Sequence, residues 1–132
     1  MPRSYSVRLA ALTIGADSRW IDNLLSRHHL PGISRERRGI ERRIDDEGLI
    51  AIELVRILNL ELGVSMAAAV AITATMMAPH TEGHYQTPSG LALHVPMSEL
   101  AQRLRARLDD ALEFVARVPR GRPRSAPNRT NS

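Results

Sequence analysis

A chain of 132 residues, 43% of them hydrophobic and with a formal net charge of +4, suits one domain with a modest core. It has no cysteine, which excludes disulfides, thiolate metal sites and cysteine nucleophiles. Its apolar stretches are interrupted by charge and its opening, "MPRSYSVRLAALTIG", lacks the order of a secretory signal, so we expect no membrane span and a cytoplasmic location.

In chain order, Tyr5 to Leu12 reads as a short helix carrying Val7, Leu9, Ala10 and Ala11 as apolar positions. Gly15 then supplies the freedom for a tight interhelical turn. Asp17 or Ser18 caps a second helix to about His29, because either side chain can accept from an orphan backbone N–H. That helix places Ile21, Leu24 and Leu25 on one face and leaves Arg19, Asp22, Asn23 and Arg27 to the others. Two short helices about a glycine-containing turn make a helix-turn-helix unit. "LPGI" ends the second helix. "SRERRGIERRI", residues 34–44, follows with five arginines in eleven residues, and Gly39 divides it into two arms suited to a hairpin or an irregular wing.

Asp45 and Asp46 mark the next helix start, where carboxylates complement the helix dipole. Leu49 to Leu62 is the most apolar segment and should be buried on most sides. Gly63 stops it, and Ser65 caps an alanine-rich helix. Beyond Pro79, the turn residues Pro88-Ser89-Gly90 and the alternation of Leu91, Leu93 and Val95 predict a small hairpin. Ser98 caps a last helix to about Val118. Its Met97, Ala101, Leu104, Leu108, Ala111, Val115 and Val118 recur in steps of four and three, a seam suited to a partner helix. The last residues, "SAPNRTNS", have a disordered composition.

Charge divides along the same lines. Residues 1–43 carry nine arginines against four acids, residues 44–116 four against ten, and residues 117–132 five against none. Basic ends around an acidic middle suit a polyanion approached by two surfaces. Guanidinium groups at Arg35, Arg37, Arg38, Arg42 and Arg43 fit phosphate through paired, charge-assisted bonds. On the neighbouring helix, arginine can read guanine edges and asparagine adenine edges, which nominates Arg19, Asn23 and Arg27. In the tail, Arg120 and Arg122 lie in "RGRP", which resembles an AT-hook laid in a narrow minor groove; a generic electrostatic tail is the plainer reading.

"YSVRLAALTIGADSRWIDNLL" followed by "RRIDDEGLIAIELVRILNLELGVSMAAAVAI" resembles the DNA-binding domain of MerR-type transcriptional regulators over roughly residues 5–76. The resemblance implies a winged helix-turn-helix whose second helix enters the major groove while the wing grips phosphates. Arg19 stands at that family's arginine early in the recognition helix, and Arg42 at its wing arginine. Ile44 replaces the family's aromatic, and Asn23-Leu24 its tyrosine pair. Family members dimerise through a C-terminal antiparallel helix pair, a role the 97–118 seam would fill; a sizeable effector domain is not expected.

Other chemistry is sparse in the sequence. His80, His84 and His94 have no cysteine or well-placed acid pair beside them and read as surface or structural histidines, so no metal or cofactor is expected. Asp45-Asp46 and Asp109-Asp110, adjacent in sequence, diverge on a helix and form no catalytic dyad. No phosphate loop or nucleophile–base signature occurs, and an enzyme is not expected. The sequence therefore predicts a mainly α, winged helix-turn-helix protein. Residues 1–78 would form the DNA-binding domain, 79–118 a hairpin plus dimer or partner helix, and 119–132 a basic tail. The expected role is a nucleoid-associated, homodimeric regulator of transcription on double-stranded DNA. The rival is an antitoxin that holds a toxin through its C-terminal part and represses its own operon.

Overall fold

Ser6, rather than Tyr5, sets the start of the first helix: its hydroxyl accepts from the Leu9 N–H at 3.1 Å and α1 spans Val7–Ile14. Tyr5 belongs instead to a short strand, β1 (Ser4–Tyr5), which the sequence reading did not anticipate. The computed structural model describes residues 3–34 and 42–117, and these are mainly helical. Gly15 closes α1 in the left-handed region at φ 80°, its N–H donating to the Ala11 carbonyl. Asp17 opens α2 (Ser18–Arg27) by accepting from Arg19 N at 2.8 Å. The helix ends before His28, two residues short of the expected limit, and buries Ile21, Leu24 and Leu25.

Strands β2 (Ile33–Ser34) and β3 (Arg43–Asp45) pair antiparallel, and β1 adds to the other edge of β3. Ile44 is therefore flanked by Tyr5 and Ile33 and is completely buried. Alternation explains this, since the residue between Arg43 and Asp45 must face the opposite side of the sheet. The resulting order is β1-β3-β2.

Asp45 ends the sheet and caps α3 (Asp46–Arg56), accepting from Gly48 N at 2.9 Å. As the apolar run requires, α3 buries Leu49, Ala51, Ile52, Leu54 and Val55. It continues into a π-helical turn, Ile57–Glu61. Leu60 and Leu62, expected inside, are exposed at 57% and 60%, because this turn carries the chain past the core. Asn59 Nδ2 closes the exit on the Val64 carbonyl at 2.8 Å. Ser65 caps α4 (Met66–Met76). The small hairpin is β4 (His84–Gln86) with β5 (Ala92–His94). Leu91 precedes β5 and is 67% exposed, so it does not join the alternation of Leu93 and Val95.

The final helix, α5, spans Met97–Arg117 and begins one residue before Ser98, with Leu100 N donating to the Pro96 carbonyl. Its seam turns inward. Its Leu104, Leu108 and Ala111, and beside them Leu100, which the seam did not include, are buried within the chain, on a helix packed against α1 and α3. Leu100, Leu104 and Leu108 belong to the same cluster as Ile21, Ile44 and Ile52. The boundary expected at residue 78 thus does not separate two cores, and the middle of the seam reserved for a partner helix, Leu104, Leu108 and Ala111, is occupied internally. Among the described residues of α5, the large apolar side chains that stay exposed, Leu112, Phe114 and Val115, lie at its C-terminal end.

Tyr5 joins the sheet to α3 by donating from its hydroxyl to Asp46 Oδ1 at 2.8 Å. Burial first, and the bond to the Asp46 carboxylate second, raise its pKa above the ordinary 10.0. The folded state then holds the proton more tightly than the unfolded chain, so this stability is complete below the unfolded value and is lost as pH climbs through the folded one. We expect the urea midpoint to fall as pH rises past the ordinary tyrosine value of about 10, with a shallower fall in Tyr5→Phe. Parallel profiles for the two proteins would remove Tyr5 as the cause.

Candidate nucleic-acid interface

On α2 the 3.6-residue period that buries Ile21, Leu24 and Leu25 forces the intervening residues outward. Arg19, Asp22, Asn23 and Arg27 are all exposed. Trp20 is half-buried and packs against the core, so it contributes packing to this helix.

Arg42, at the entry to β3, reaches across to this helix, with Nη1 lying 3.6 Å from Asp22 Oδ1. Its side chain is 21% exposed against 55% for Asp22. The Arg42 Nε is buried without a hydrogen-bond partner among the described residues. Arg43 goes the other way, as the next residue of an extended chain must. Its Nε donates to Ser4 Oγ at 3.1 Å and its Nη2 to the Ser4 carbonyl at 2.8 Å. The two wing arginines expected to act together are therefore divided: Arg42 belongs with α2, and Arg43 bonds across β1. Arg35, Arg37, Arg38, Arg120 and Arg122 lie outside the described residues.

A buried charge network supports the turn that leads into α2. Glu53, 4% exposed on α3, accepts from Arg56 Nε at 2.7 Å and from Arg56 Nη2 at 3.1 Å. Arg107 of α5 approaches the same carboxylate at 3.6 Å and donates through Nη2 to the Ile14 carbonyl at 2.6 Å. It thereby caps the C-terminus of α1, where a cation is favoured. Arg56 also meets Glu61 at 3.0 Å across the π-helical turn, and its bonds to Glu53 come first among the causes that raise its pKa. Asp22, Ser4 and the Glu53–Arg107 link are absent from the residues nominated by sequence. Their partners lie about 20 to 54 positions away, a range that periodicity does not reach.

No protein family, curated protein or solved structure matches this chain.

Elsewhere, His84 and His94 face each other across the small hairpin with ring centroids 4.2 Å apart. Among the described residues no group of three or more His, Asp or Glu is arranged to hold a metal ion. No helix among them is long and apolar enough to cross a membrane.

Proposed function

We propose that this chain is a sequence-specific, double-stranded DNA-binding regulator of transcription, built as a winged helix-turn-helix of the MerR type. One observation carries the reading. Arg42, just before β3, meets Asp22 on the outer side of α2, the helix that also exposes Arg19, Asn23 and Arg27, and this supports a surface shared by that helix and the expected wing. In this reading α2 enters the major groove, where Arg19 addresses a guanine edge and Asn23 an adenine edge. Arg27 and the wing then contact phosphate. A homodimer joined through the exposed end of α5 would present two such helices to a pseudo-palindromic site.

The test is selection of bound duplexes from a random pool, followed by titration of the selected site and of random-sequence DNA. Arg19→Ala should lose about 1–3 kcal/mol on the selected site and much less on random DNA. Equal losses on both would reject the base-reading role of Arg19, and the absence of any selected sequence would reject a specific regulator.

The antitoxin reading has one observation in its favour: Leu112 at 37%, Phe114 at 56% and Val115 at 50% exposure end α5 as an apolar tip. Deleting residues 84–118 would not test it cleanly, because Leu100, Leu104 and Leu108 belong to the core. Phe114→Ser combined with Val115→Ser is the cleaner probe. Loss of a co-purifying protein with DNA binding retained would favour the antitoxin, whereas loss of self-association would favour the dimer.

A further inference from the structure

Asp22 is an acid on the surface proposed to meet a polyanion. Its side chain is 55% exposed, and it faces outward from α2 among Arg19, Asn23 and Arg27. An uncompensated carboxylate there would oppose phosphate, and its one ion-pair partner among the described residues is Arg42 at 3.6 Å. The pair spans two elements that enclose the proposed interface, the outer face of α2 and the entry to β3. Arg42 is also the more enclosed partner, with only 21% of its side chain reaching solvent.

We propose that Asp22 determines specificity by tethering Arg42, so that this guanidinium is withheld from DNA unless the rest of α2 is correctly seated. The inference rests on the DNA-binding reading given above and gives a role to Asp22, which in that reading is only the contact point for Arg42. Its chemistry is competition between two anions for one cation. A half-exposed carboxylate at this distance holds an arginine weakly, whereas a phosphate offers a bidentate partner. On random sequence the Asp22 contact must be surrendered for each phosphate contact, which lowers nonspecific affinity. On the preferred site the base contacts of α2 bring Asp22 to the base edges, where a carboxylate can accept from the cytosine amino group. Arg42 is then free for phosphate, and the ratio of specific to nonspecific binding rises.

The experiment is a double-mutant cycle with Asp22→Asn and Arg42→Gln. The folded full chain is titrated against a random-sequence duplex and against the selected site across a salt series. D22N keeps the shape of Asp22 and removes only its charge. With Arg42 present, D22N should raise affinity for the random duplex about threefold to fivefold more than it does in the R42Q background, the range of one surface ion pair. It should also steepen the salt dependence by about one unit. The gain on the selected site should be smaller, so that discrimination falls. An equal D22N gain with and without Arg42 would mean general charge repulsion and would overturn the tether. An equal gain on both duplexes would overturn its role in specificity. Failure of wild type and D22N alike to bind any duplex at low salt would instead remove the DNA-binding reading itself, and the tether with it.

Discussion

Replacing Gly32 with alanine should cost about 3 kcal/mol or more, the sum of strain in the left-handed region and overpacking, and lower the melting temperature by about 10 °C. Gly32 lies at φ +77°, and a Cβ there would run into the backbone of Gly48 and the Asp45 carboxylate. The collision is mutual: a Cβ on Gly48 would come within 2.6 Å of the Gly32 carbonyl and 2.9 Å of Ile33 and Ile44 side-chain carbons. These neighbours cannot simply move aside. Gly32 O accepts from Asp45 N at 3.0 Å, and Asp45 caps α3 through Gly48 N. One added methyl therefore opposes the strand pairing, the cap and the helix start together. Gly63→Ala is the matched control, because it has φ +73° but nothing within 4 Å of the added carbon; it should show the conformational cost alone. Equal melting temperatures for the two variants would mean that the contact with Gly48 is not tight.

The same junction shows how far the sequence could be read. Three helix starts were legible because their signals are local: Asp17, Asp45 and Ser65 each accept from a backbone N–H two or three residues on. The outward face of α2 followed from period alone, and so did the exposure of Arg19, Asn23 and Arg27. Strand β1 was hidden because two residues, Ser4–Tyr5, are too few to display alternation. Its existence depends on β3, some forty positions away.

The seam of α5 was visible, but its partner was not. Steps of four and three state that one helical face is apolar and are silent on whether another chain or α1 and α3 of the same chain will cover it. Arg42 and Arg43, expected to act together, diverge for a similar reason. Adjacent arginines look equivalent in a sequence, yet the pleat sends Arg42 to Asp22 and Arg43 to Ser4. Nor does the apolar run around Glu53 reveal which cations neutralise it. Arg56 lies three residues ahead, while Arg107 comes from the last helix.

That carboxylate supports the second large effect. Glu53→Ala should destabilise the fold by about 3 kcal/mol, at the lower end of the range for removing one partner of a buried ion pair. The lower end applies because the stranded cations have routes to water or to other anions. Arg107 is 43% exposed in its side chain, and Arg56 keeps Glu61 at 3.0 Å. Glu53→Gln retains the volume and one acceptor oxygen but loses the charge, and should fall between Glu53→Ala and wild type. The consequence should reach α2, because Arg107 also holds the Ile14 carbonyl at 2.6 Å, at the last residue before the Gly15 turn. Once Glu53 no longer orients Arg107, that cap loosens, and amide hydrogens from about residue 15 to 19 should exchange faster than those of the α3 centre. Arg107→Ala provides the separation. It should accelerate exchange at the same turn while costing less global stability, since Glu53 keeps both bonds from Arg56. If Glu53→Ala melts with wild type, or if Arg107→Ala leaves exchange at the turn unchanged, the network does not brace the α1–α2 corner and the orientation of Arg19 must come from hydrophobic packing alone.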